Sequence, residues 1–223
     1  VRNVYKRQRL VIVGRVSCHT PRFYLTSKTM NTEQAELFTP APKWSGRSDG
    51  PGPEHARWHS VINQSTESPA PVTLLGFASD EGVLRNGGRQ GAAAGPAALR
   101  SALGSLAVHH EHALADAGTI TTQADDLDGA HNALSDKVQE LVAAGSLPIV
   151  LGGGHETAFG SHRGLYRAVG ATKIINLDAH FDLRRADQAT SGTPFKQISE
   201  LTDDFDYTVL GISRPNNTAV LFD

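Results

Sequence analysis

From residue 72 onward the apolar positions alternate between two spacings. Short runs of mostly apolar, often β-branched residues at 72–77, 119–122, 147–151, 173–177 and 207–212 read as strands. Between them the spacing turns helical. Pro96 suits a helix start and Leu99, Leu103 and Leu106 share one face, while Leu134, Val138, Leu141 and Val142 form a second stripe that stops at Gly145. Both stripes are expected to be core packing. Strands alternating with crossover helices predict an α/β domain built on a three-layer, mostly parallel sheet, and five strands are only a partial set for such a sheet.

Ahead of residue 72 the pattern fades. Thr39-Pro40, Pro42 and the stretch 46–53 make residues 30–71 a Pro/Gly-rich lead-in, with Met30 as the natural start. Residues 1–29 have neither a strand nor a helix period. Seven of the 21 basic residues lie there, before the first acid at Glu33, and the apolar stretch 10–13 is too short for a signal peptide. Val4-Tyr5-Lys6-Arg7-Gln8 is what a string resembling a sequencing-library transposase adapter encodes, so 1–29 is expected to be a non-native leader. The domain proper is then 72–223.

Composition narrows the class. With 39% hydrophobic and 20% charged residues in 223, the chain reads as an ordinary soluble protein. Cys18 is the single cysteine, which excludes an internal disulfide framework and makes a reducing cytoplasm the expected location. No apolar run approaches the roughly 20 residues of a membrane helix. The basic front has no amphipathic period, so neither nucleic acid nor membrane is an expected partner, and a small-molecule substrate is.

The chemistry collects where strands end. The run 147–151 is followed by Gly152-Gly153-Gly154-His155-Glu156, and the run 173–177 by Asp178-Ala179-His180-Phe181-Asp182. Carboxyl ends of strands are where an open α/β sheet binds ligands, and extended backbone turns residues two apart to the same side, so Asp178, His180 and Asp182 can converge. Two imidazoles and two carboxylates form a mixed nitrogen and oxygen set that suits Mn²⁺. A carboxylate such as Asp178 can bridge two ions about 3.5 to 4 Å apart, and such a pair supplies hydroxide at neutral pH for attack on an sp² carbon.

Plainer readings compete. The three glycines, running from strand to helix, could be a phosphate-binding turn, with Asp178 in the place of a ribose-binding acid. That leaves His155, His180 and Asp182 without a role, and metal binding accounts for more of the residues. His109, His110, His112, His131 and His162 read as structural or solvated histidines. Asp203, Asp204 and Asp206 sit in a polar turn, where carboxylates are usually solvated.

Gly-Gly-Gly-His-Glu and Asp-Ala-His-Phe-Asp together resemble the first two signature motifs of the ureohydrolases, the superfamily of arginase, agmatinase and formimidoylglutamase. Asn86-Gly-Gly-Arg89 followed by Gly95-Pro96 and Leu99-Arg100 resembles that family's amino-terminal active-site loop. Leu183-Arg184, the loop 191–195 and the segment 211–215 look like the formimidoylglutamase branch. The resemblance implies an arginase-type sheet, incomplete in this chain, and two manganese ions. His155, Asp178 and Asp182 would hold the first ion; Asp178 would bridge to a second that His180 also binds, and Asp182 would position the hydroxide between them.

On the same basis Arg184, Ser191, Gly192 and Thr193 lie where relatives hold the amino-acid end of the substrate. For Arg89 a substrate role and a structural role weigh equally. The implied reaction is hydrolysis of N-formimidoyl-L-glutamate to L-glutamate and formamide in histidine breakdown, by an enzyme of a family that commonly forms homo-oligomers. An agmatinase-like guanidino hydrolase is the nearest alternative, and a nucleotide-binding α/β module is the alternative from another class. The family's third signature, a Ser-x-Asp-x-Asp pattern, has no counterpart here, so this chain is expected to be inactive by itself.

Overall fold

The computed structural model describes residues 36–64, 70–109 and 113–222. The expected leader at 1–29 lies outside them. Six strands are present among the described residues: β1 (Phe38–Thr39), β2 (Val72–Ala78), β3 (Leu114–Thr121), β4 (Leu147–Leu151), β5 (Ile174–Leu177) and β6 (Tyr207–Leu210). The helices are α1 (Trp58–Val61), α2 (Glu81–Arg85), α3 (Gly95–Gly104), α4 (Leu127–Ala143), α5 (Thr157–Val169) and α6 (Pro194–Ser199). No described helix is long and apolar enough to cross a membrane.

The strands form two sheets. One has the order β1-β3-β2-β4, with β1 antiparallel to β3 and the other pairs parallel; β5 and β6 make a separate parallel pair. This is a mixed α/β architecture with a mostly parallel sheet. Strand β2 is sealed on both faces, as a central parallel strand must be. Leu75 and Phe77 join Ile120 and the α4 stripe Leu134, Val138 and Leu141 in one cluster, and Leu74 packs on the opposite face with Trp44, Ile62, Leu114 and Leu151. A third cluster places Phe159, Phe195 and Ile198 against Ile174 and Tyr207.

Helix α4 starts where the Asp126 carboxylate accepts the Gly129 amide at 2.8 Å, satisfying one of the orphan donors of the first turn. It then lies close against α5, because Gly164 presents no side chain: a Cβ there would sit 2.4 Å from the Ser135 carbonyl oxygen.

Two expectations are corrected. Strand β3 begins at Leu114, five residues before the run at 119–122, because Ala115, Asp116 and Ala117 are carried into the sheet by burial although they have little strand preference. Of the expected α3 stripe only Leu103 packs, against the Leu74 cluster; Leu99 and, just past the helix end, Leu106 are exposed, and Pro96, Arg100 and Gly104 are the buried positions. The reason is a polar core. Arg100 donates to Asp116 at 2.7 and 2.8 Å, to the Thr119 hydroxyl and to the Gly118 carbonyl, and the Trp44 indole donates to Asp116 at 2.8 Å. With four hydrogen bonds supplied, a guanidinium takes the place an apolar side chain was expected to hold. The lead-in also carries structure, since β1 pairs with β3 and Leu37, Trp44 and Ile62 are buried.

Candidate metal centre

Two strand ends build the site. Beyond β4 the chain turns at Gly153, where a Cβ would lie 2.0 Å from the Ser79 carbonyl oxygen, so only glycine lets this turn press against the end of β2. The Gly154 amide donates to the same Ser79 carbonyl at 2.9 Å. An amide already committed inside the fold is not offered to a phosphate, which counts against the nucleotide reading. Beyond β5, the Asp178 amide still donates to Leu210 of β6, so the second strand end is held in register as Asp178 leaves it.

There the ligand atoms converge. The His155 Nδ1 lies 2.6 Å from an Asp182 carboxylate oxygen and 3.1 Å from Asp178 Oδ2, and one donor atom from each of these three residues falls within 4.8 Å of the others. Asp182 has φ of +49°, a left-handed conformation that aspartate tolerates better than most side chains and that turns its carboxylate back toward His155. His180 stands outside this trio. Its ring Nδ1 is 3.3 Å from Asp178 Oδ1 and its amide donates to that same oxygen at 2.9 Å, so the two Asp178 oxygens face different imidazoles.

Charge and burial shape the trio. The hydrogen bond that the Asp182 carboxylate accepts raises the His155 pKa above its ordinary value; burial opposes this, and the charges of Asp182 and Asp178 add to the rise. Phe195 packs edge-on to the imidazole with ring centroids 5.5 Å apart, on the rim of a cavity of about 380 Å³ that also borders β4 and β5.

Several residues that hold the site carried no chemical signature of their own. Tyr207 donates to the Phe181 carbonyl at 2.9 Å, and Asn217 bonds the Ala179 carbonyl and the Phe181 amide, pinning the turn that carries His180 and Asp182. His131 is fully buried, flanked by Phe77 and Phe159, and its Nε2 meets the Glu156 carbonyl at 2.9 Å; burial pushes its pKa down to about 4. Its structural reading on sequence grounds fits this position.

Of the residues expected near the substrate, Arg184 is exposed and its amide donates to the Gly192 carbonyl at 3.0 Å. Its guanidinium reaches the Asn86 side chain, and Asn86 in turn donates to the Ser191 hydroxyl at 3.1 Å. Thr193 is buried, its hydroxyl bonded to Thr190 and Gln197, so it shapes the loop. Arg89 is exposed on the loop after α2, outside this network. Arg184, Arg185, Arg85 and Lys196 border a polar cavity of about 580 Å³ that also includes Asp128, Asp187 and Glu200.

Comparison with known proteins identifies the family. A profile described as the arginase family matches residues 70–223. The chain is 55% identical over 184 residues to a formimidoylglutamase of Corynebacterium efficiens, covering 80% of this chain and 58% of the relative. It is 46% identical over 198 residues to a formimidoylglutamase of Rhodococcus opacus, covering 84% and 62%. The crystal structure of Trypanosoma cruzi formiminoglutamase with Mn²⁺ superimposes with a TM-score of 0.67 at 34% identity, over 74% of this chain and 60% of that one. The chain thus spans about three fifths of the length of the relatives it matches.

Proposed function

The chain belongs to the arginase family, and from that premise we propose that it forms part of a manganese-dependent enzyme hydrolysing N-formimidoyl-L-glutamate to L-glutamate and formamide. The observation that carries the proposal is the convergence of His155, Asp178 and Asp182 at two strand ends, with an exposed Arg184 two residues beyond Asp182 in the chain and bonded to the Asn86 side chain. The donor set fits the ion: one imidazole nitrogen and two carboxylates are ligands that manganese accepts, with no thiolate to favour a softer metal. His155, Asp178 and Asp182 would hold one ion; Asp178, whose oxygens face different imidazoles, would share it with a second held by His180. Bound manganese would supply Lewis acidity and lower the pKa of water at the site.

The remaining roles fall to the chain itself. Asp182 would orient the attacking water and take up its proton, since its carboxylate is aimed into the trio. Arg184 would grip a substrate carboxylate in a bidentate fork, steered by Asn86, with the Ser191 hydroxyl and the Gly192 backbone closing that end. Arg89, exposed on the loop after α2, would meet the substrate only on closure of that loop. A cytoplasmic homo-oligomer acting in histidine breakdown belongs to the same proposal.

Three clustered donors and a neighbouring imidazole leave an octahedral ion short of ligands. The 223-residue chain is therefore expected to bind manganese weakly and turn over no substrate, and a version extended to the relatives' length to bind it tightly and hydrolyse the substrate. Manganese content and formamide release, measured on the two proteins, test this. Turnover by the 223-residue chain would sink the ligand-count argument. An extended protein that is inert on N-formimidoyl-L-glutamate but cleaves agmatine would sink the substrate assignment.

A further inference from the structure

Glu156 follows His155 directly, yet its side chain points away from the metal trio and into the protein, where it is 0% exposed. Its Oε1 accepts the Gly82 amide at 3.1 Å and the Ser79 hydroxyl at 3.3 Å. Its own carbonyl is held from the other side by His131 of α4. The chain of bonds continues past Gly82. The Gly82 carbonyl accepts the Ser191 amide at 2.9 Å and the Asn86 amide at 3.2 Å, and the Asn86 side chain bonds both the Ser191 hydroxyl and the Arg184 guanidinium. An unbroken path of hydrogen bonds thus runs from the turn carrying His155, through the backbone of α2, to the loop carrying Ser191 and Gly192.

Stability alone does not account for a carboxyl group here. Oε2 has no hydrogen-bond partner among the described residues, and a half-satisfied buried carboxyl is a worse tenant of a core than an apolar side chain of the same length. Two neighbours are also shaped around it: a Cβ at Gly82 would come 2.6 Å from the Glu156 carboxyl carbon, and one at Gly154 would come 2.0 Å from Oε2. An acceptor at this position provides the bonds to the Ser79 hydroxyl and the Gly82 amide, and the second of these fixes the placement of α2.

We propose that Glu156 is a positioning residue that ties the metal-ligand turn to the substrate loop through Gly82, setting the spacing between the two halves of the active site. The proposal rests on the reading of the trio and the 191–193 loop given above. Glu156 touches neither substrate nor metal; it acts through Gly82 and Ser191.

Two variants separate positioning from mere support. Glu156→Gln keeps an acceptor for the Gly82 amide, and Glu156→Met keeps the length and loses the acceptor. In the 223-residue chain, amide exchange at Gly82 and Ser191 should be about tenfold faster in the Met variant, the size of one lost buried hydrogen bond, with β2 and α4 unchanged and the Gln variant like the parent. In the extended, manganese-loaded enzyme the Met variant should raise KM about tenfold with metal content unchanged and kcat within about threefold, and Gln should restore KM. Slow exchange at Ser191 in the Met variant would overturn the proposal. So would a Met variant that unfolds or loosens β2 and α4 equally, because Glu156 would then support the whole fold, and so would a Gln variant that fails to rescue. An extended parent enzyme without activity would refute the functional reading instead, and the exchange measurement would still decide the role of Glu156.

Discussion

Strand β2 and the pair β4 and β5 are built from similar apolar residues and end in opposite conditions. The five central residues of β2 are buried between β3, β4 and two layers of packing, whereas β4 and β5 each keep an edge without a strand neighbour among the described residues. Along those edges Leu147 is 62% exposed, Ile175 68% and Leu177 78%. Both edges border the same cavity beside His155. Apolar, β-rich sequence therefore makes strands in both places, but only neighbours make a core, and an open apolar edge is a hazard for association. Under the proposed function, in which this chain forms part of a longer enzyme, further strands would fill this opening.

The contrast can be tested from its closed side first. Phe77→Ala should cost about 4 kcal/mol, since it empties a fully buried site between Ile120, Leu134 and His131, and denaturant unfolding would measure it. A loss below about 1 kcal/mol would mean that this side is not the rigid half.

His131 probes the same core through pH. Unfolded, it takes a proton near 6.5; folded, burial delays that until about pH 4. The stability this neutral imidazole allows is complete above pH 6.5 and is lost as pH falls toward 4, by about 3 kcal/mol in all, because only the unfolded chain binds the proton in that window. Urea midpoints across this range should fall with acidity in the parent and stay flatter in His131→Phe.

At the boundary between the two regions, the raised pKa of His155 means that manganese would compete with protonation that Asp182 and Asp178 favour. Affinity should therefore rise with pH through neutrality, by up to about tenfold per unit, and Asp182→Asn should weaken both the affinity and its pH dependence. Titration calorimetry at several pH values would show it, and a pH-independent affinity would remove His155 from the ligand set.

The smallest effect belongs to the open edge. Leu177→Ser should change stability by no more than about 0.5 kcal/mol while raising solubility, because the side chain is already in water. In the extended enzyme the same substitution should cost several times more, and an equal cost in both proteins would contradict the proposed filling of the gap.

Much of this was legible in the residues. The run at 147–151 coincides with β4, and Gly-Gly-Gly-His-Glu and Asp-Ala-His-Phe-Asp point to strand ends that do meet, because a two-residue period and a glycine turn are local properties of the chain. The α3 face was misread for a physical reason. Periodicity ranks Leu99 above Arg100, and nothing local announces that Asp116, Thr119 and the Gly118 carbonyl will converge to satisfy a buried guanidinium. Glu156 stood inside the motif without a role, since its partners Ser79 and Gly82 are more than seventy residues away in the chain.

The sequence by itself determined which residues offer nitrogen and oxygen donors, where strands would stop, and which family the chain resembles, because donor chemistry and backbone preference travel with the residue. Tertiary structure alone decided that His155 meets Asp178 and Asp182 while His180 stays on the other side of Asp178, and that Glu156 reaches Ser191 through Gly82. It decided too that β2 is buried and β5 is not. Those outcomes depend on which segments come to lie side by side, and the energies that choose them come from desolvation and hydrogen bonding between groups that are distant in sequence.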